Sequence, residues 1–83
     1  MPLFMDTHEK VDGLTAEAVA GAHKMDLAVQ EKHGVNYIRY WFNESTGRVY
    51  CLVDAPSAEV AALVHKEAHG LLADEIVQVS EGH

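Results

Sequence analysis

Two apolar-periodic segments, each opened by a hydroxyl residue and closed by a glycine, set the frame of this chain. Thr15 stands where an N-cap belongs, ahead of AEAVAGAHKMDLAVQEKH with Glu17 in the first turn, and Gly34 follows as the C′ residue. Ser57 caps AEVAALVHKEAH in the same way, and Gly70 stops it. Helical spacing draws one apolar stripe through Ala18, Ala22, Met25 and Val29 and another through Val60, Leu63, Val64 and Ala68.

Strand-forming runs flank both helices. LFMDTH, residues 3 to 8, alternates, with Leu3, Met5 and Thr7 on one face and Phe4, Asp6 and His8 on the other. NYIRYWFN and RVYCLVD surround the compact turn Glu44-Ser45-Thr46-Gly47, so residues 36 to 54 form a hairpin. EIVQVS, residues 75 to 80, is the last strand. The order βαββαβ is that of a ferredoxin-like α+β sandwich, one domain over residues 1–83. Right-handed crossovers place both helices on one face of a four-stranded antiparallel sheet. The other face stays open, with Phe4 and either Tyr37 and Trp41 or Tyr40 and Phe42 upon it. That face is too apolar to leave wet, so a homodimer is expected. The strands 3 to 8 and 49 to 54 are expected to be neighbours, with Cys51 buried.

Charge narrows the partners. Six Lys and Arg stand against 13 Asp and Glu, a net charge of -7. Nucleic acid needs clustered basic residues, and an anionic membrane surface attracts them, so neither is an expected partner. No apolar run approaches the roughly 20 residues of a membrane span, and MPLFMDTHEK lacks the pattern of a secretory signal. One cysteine excludes an internal disulfide, and a lone thiol in the apolar run YCLV suits a reducing compartment, most simply the cytoplasm.

Six histidines, at 8, 23, 33, 65, 69 and 83, are the compositional oddity. His83 is terminal and is set aside as an end or a tag remnant. His65 and His69 lie four apart on one helix face, close enough for both imidazoles to reach one ion. Counted around the helix, both sit beside the apolar stripe and are reachable. Two solvated residues near a helix C-terminus would show the same spacing. Lys66 directly after His65 rules out the zinc-protease motif, which needs Glu there. In the βαββαβ topology the second helix runs antiparallel to the first, so its C-terminal turn returns to the end of strand one. His8, His65 and His69 then meet at one rim, with Asp6 on the strand face of His8. His23 and Asp26, three apart, face His65 across the helix pair; Asp26 has the alternative of bonding Arg39 or a helix neighbour. Imidazole with carboxylate suits nickel, zinc, copper, iron or cobalt. Cys51 reads most simply as a small core residue.

Taken together, M-D-x-H, A-H-x-x-D, C-L-V-x-A-P and H-x-x-A-H-G, quoted from residues 3 to 79, resemble a small bacterial family of nickel-responsive, nickel-binding proteins. That family was formerly a domain of unknown function. The resemblance implies a dimeric ferredoxin-like fold and nickel bound by these His and Asp positions, without assigning ligands one by one. The expected metal residues, from the rim geometry, are Asp6, His8, His23, His65 and His69. The leading function is a nickel store, buffer or sequestering protein, which demands no catalytic base. The alternative is a dimeric α/β-barrel small-molecule binder or enzyme, with Asp6, His8 and the hairpin aromatics lining a pocket in the open sheet face.

Overall fold

The structure is a computed structural model and describes residues 2–82; His83, set aside above, lies outside the described residues. The chain runs β1 (Leu3–His8), α1 (Ala16–Val29), β2 (Asn36–Asn43), β3 (Arg48–Asp54), α2 (Ala58–Ala68) and β4 (Glu75–Val79). The sheet order is β2-β3-β1-β4, and every pairing is antiparallel. This is the ferredoxin-like α+β sandwich, with α1 and α2 side by side over one sheet face.

Local chemistry explains the element ends. Thr15 accepts a hydrogen bond from the Ala18 amide and Ser57 one from the Val60 amide. Each hydroxyl satisfies one of the amides that a helix N-terminus leaves without an internal partner. The Glu44 carboxylate in the hairpin turn accepts from the Ala16 amide, a second anion at the positive end of α1. A 3-10 turn, Gln30–His33, tightens the end of α1 before Gly34 turns left-handed at φ 67. Gly47, at φ 79, lets the hairpin turn press against the loop after β1: its carbonyl accepts from the Val11 amide at 2.8 Å. A Cβ there would stand 3.2 Å from Val11 N, so only glycine fits both the dihedral and the approach.

Register decides which face each side chain takes. β1 pairs with β3, Asp6 opposite Cys51 and Phe4 opposite Val53, and Cys51 is buried as expected. Phe4, Asp6 and His8 point under the helices into the core. Phe4 is therefore a core residue and not, as its side of the strand was read, on the open face. In β2 a bulge at Ile38 breaks the alternation: Tyr37 pairs with Val53, but Arg39 pairs with Leu52. The extra residue keeps Tyr37, Tyr40 and Phe42 on the helix side and turns Trp41 outward, so neither of the two expected pairs of aromatics shares the open face. That face carries Met5, Ile38, Trp41, Leu52 and Val77, with Trp41 46% exposed.

Both helices are rotated from their apolar stripes. The buried face of α1 is Val19 and Asp26, flanked by half-buried Ala22, His23 and Val29, while Met25 is 51% exposed. In α2 the buried residues are Ala61, Val64 and His65, and Leu63 faces out. Asp26 and His65 displace apolar neighbours from the interior because they compensate one another, as the site geometry makes plain. Among the described residues no helix is long and apolar enough to cross a membrane.

Candidate metal centre

Four elements converge on one imidazole. β1 sends Asp6 inward from the sheet, α1 contributes Asp26, and α2 places His65 between them. His65 Nε2 lies 2.9 Å from Asp6 Oδ2, and His65 Nδ1 lies 2.8 Å from Asp26 Oδ1. The Tyr37 hydroxyl from β2 stands 3.0 Å from Asp6 Oδ2 and 3.1 Å from the Ala61 carbonyl, two acceptors for its one proton. Its ring stacks on His65 with centroids 4.5 Å apart. His69, the C-cap of α2, reaches Asp26 Oδ1 at 3.1 Å through Nε2. Its Nδ1 accepts the Leu71 amide proton at 3.1 Å, so Nε2 carries the proton given to Asp26.

With a carboxylate oxygen at each ring nitrogen, His65 must donate from both, which makes it an imidazolium. Burial alone would drive its pKa down and is the largest single influence. The hydrogen bonds and charges of Asp26 and Asp6 outweigh it and push the pKa up to about 9. The same balance acts in reverse on the acids. Burial opposes their ionisation, but bonds to His65, with His8 beside Asp6 and His69 beside Asp26, hold both carboxyls below the usual range. Burial, reinforced by the Asp6 charge, pushes the Tyr37 hydroxyl and the Cys51 thiol up, so both stay protonated.

The count of charge is uneven. Asp6 and Asp26 bring −2 and His65 brings +1, which leaves an excess of −1 in the interior. Beside it, Asp6 Oδ1 is buried and accepts no hydrogen bond, with His8 Nε2 3.5 Å away. A buried carboxylate oxygen without a partner is costly, and a cation beside it would remove the cost.

The donors fall into two groups that share His65. Asp6, His8, Cys51 and His65 have ligand atoms within 4.8 Å of one another, and so do Asp26, His65 and His69. Four of the five residues expected at the metal, Asp6, His8, His65 and His69, therefore meet as the topology implied, though as two clusters rather than one. His23 joins neither: its ring packs on Tyr40 with centroids 4.8 Å apart. Asp26 bonds His65 and His69, not Arg39. The expectation that both α2 histidines are reachable holds poorly for His65, which is 1% exposed. Its burial inside the stripe is tolerable because both ring nitrogens are paired. Asp26 carried a usable signal in the sequence, since it lies one helical face from Val19 at i+7 and three from His23.

A cavity of about 70 Å³ adjoins the network between α1 and the sheet. Asp26, His65, His69 and His8 line it together with apolar residues such as Leu14 and Val19. His8 thus borders a space under the helices, and Asp6 points to the same side of the sheet. A pocket built from them in the open sheet face is ruled out, because they point to the opposite side of the sheet.

Comparison with known proteins agrees with this architecture. The family described as nickel responsive protein SCO4226-like matches residues 4–79. The crystal structure of SCO4226 from Streptomyces coelicolor A3(2) superposes with a TM-score of 0.90 at 38% identity, covering 98% of this chain and 99% of that one. No curated protein sequence matches at a significant level. The matched span, nearly the whole chain, takes in every residue of the buried network, and this chain belongs to the nickel responsive SCO4226-like family.

Proposed function

We propose that the chain binds a nickel ion at Asp26, His65 Nδ1 and His69, and that its role is to store, buffer or sequester the metal. The observation that carries this reading is the buried excess negative charge centred on His65. Nitrogen and carboxylate donors suit borderline divalent ions, nickel among them, and the family's description favours nickel. The ion takes the place of the proton that His65 gives to Asp26. Ligation by His69 Nε2 needs the tautomer protonated at Nδ1, which frees the Leu71 amide. That amide belongs to the exposed loop before β4, where water can replace the bond. Asp6 and His8 hold the far side of the ring, and His23, at the cavity wall, serves as an accessory donor.

The test is calorimetric titration of nickel into protein that lacks His83, since terminal histidines scavenge this metal. Wild type should bind tightly, and Asp26→Asn and His69→Ala should each weaken binding at least tenfold, as should His65→Ala where it folds. Unchanged affinity and stoichiometry in Asp26→Asn and His69→Ala together would place the metal elsewhere.

The same reading includes a cytoplasmic homodimer. Ile38, Trp41 and Val77 are exposed on one sheet face with half-buried Leu3, Met5 and Leu52 between them, an apolar surface that a second copy would cover. Light scattering should give twice the 9.1 kDa chain mass, and Trp41→Asp should halve it. A monomer mass for wild type at micromolar concentration would end the dimer proposal. The single, buried Cys51 accords with a reducing compartment.

A further inference from the structure

We propose that the sheet side of His65 is a second cation position, formed by Asp6, His8, Cys51 and His65 Nε2, and that it takes a thiophilic ion such as zinc. The inference rests on the network described above but uses the opposite ring nitrogen and takes as ligands three residues that do not ligate the nickel.

Four donors of mixed nitrogen, oxygen and sulfur character lie within 4.8 Å of one another, and all four residues are buried. A tetrahedral zinc site, with bonds of about 2.0–2.3 Å, has donor separations of roughly 3.3–3.8 Å. The widest donor pair therefore has to close by at most about an ångström, within the reach of side-chain rotation. Four protein ligands and no open position is the composition of a closed zinc site. The independent sign of a missing partner is Asp6 Oδ1, in a residue 0% exposed, which accepts no hydrogen bond and has His8 Nε2 at 3.5 Å. The other oxygen of the same carboxylate is fully engaged by Tyr37 and His65, so the group is anchored with one oxygen free. Register supplies the thiol: Asp6 and Cys51 are directly paired across β1 and β3 on the helix side of the sheet.

Binding there releases two protons to solvent, one from the Cys51 thiol and one from His65 Nε2, as metal–sulfur and metal–nitrogen bonds form. A coordinated thiol loses its proton to the cation's charge. His65 keeps its Nδ1 proton and its bond to Asp26. A neutral imidazole offers one lone pair, so an ion at Nε2 and an ion at Nδ1 exclude each other. Zinc and nickel then compete although only His65 is common to their sites.

Cobalt(II) and zinc chloride are the probes, used with the full chain lacking His83 in the presence of a non-chelating reductant. Cobalt-loaded wild type should show a thiolate-to-cobalt charge-transfer absorption that zinc abolishes. Cys51→Ser and His8→Gln should each weaken zinc at least tenfold, and Cys51→Ser should also lose the band while leaving nickel affinity within about twofold. His69→Ala should do the reverse. Circular dichroism confirms that each variant is folded, and Cys51→Ala replaces Cys51→Ser should the hydroxyl disrupt the core. Absence of the thiolate band in wild type, or unchanged zinc affinity in both Cys51 variants, overturns the second position. Zinc binding through Cys51 without any nickel binding would leave this inference standing and remove the nickel reading instead.

Discussion

Asp6→Ala should cost the metal-free protein about 3–5 kcal/mol, the range for removing one partner of a buried ion pair. The substitution strands His65 Nε2 in a site that is 1% exposed and takes away one of the two acceptors of the Tyr37 hydroxyl. Set against a total of about 5–15 kcal/mol for a protein of ordinary stability, that is a large share. Urea unfolding of wild type and variant measures it directly. The contrast is Glu67→Ala at the surface pair with Lys32, where solvent reaches both side chains and the urea midpoint should hardly move. A loss at Asp6 no larger than that at Glu67 would mean that the carboxylate–imidazolium network does not hold the fold. The expected difference arises because burial makes an abandoned charge expensive, whereas water takes over at Glu67.

The melting temperature of the metal-free protein should fall as pH rises from about 6.5 to about 9. His65 ionises ordinarily near 6.5, and its folded value is pushed up to about 9 because its two carboxylate partners outweigh burial. A group whose pKa is raised on folding contributes its full stability below the unfolded value and loses it as pH climbs through the folded one. The gap corresponds to roughly 3 kcal/mol. Asp6 and Asp26 act with the opposite sign: both are lowered from 3.8, so their contribution is present above that value and is lost in acid. Stability is therefore greatest between about pH 4 and 6.5. Asp26→Asn removes one of the charges that favour the imidazolium and should flatten the alkaline limb. A wild-type melting temperature that stays constant from pH 6.5 to 9 would show that His65 is not held as a cation.

The order of elements was legible in the chain because its signals are local. Thr15 and Ser57 cap their helices through amides three residues away, and Gly34 and Gly70 adopt the left-handed dihedrals that end them. Such short-range bonds need no knowledge of the rest of the molecule. The element order then limited the topology, and the topology alone brought Asp6 and His8 to the end of the sheet where His65 and His69 return. The resemblance of the motifs to a nickel-responsive family was likewise present in the residues, and the match over residues 4–79 bears it out.

What the sequence could not display was rotation and register. Apolar periodicity puts Met25 inside α1, whereas the fold buries Asp26, whose carboxylate is compensated by two imidazoles. The same compensation draws His65 from the flank of its stripe to the centre of the core. Periodicity assumes that charge belongs outside; it has no means of crediting a partner 39 residues away. Strand alternation fails in the same manner at Ile38, where one extra residue sends Tyr37 and Tyr40 to the same side and completes the Tyr37–Asp6–His65 chain. Caps and turns are decided within a few residues, and the chain alone determines them. The metal centre is decided by which faces four elements turn toward one another, and only the packed structure determines that.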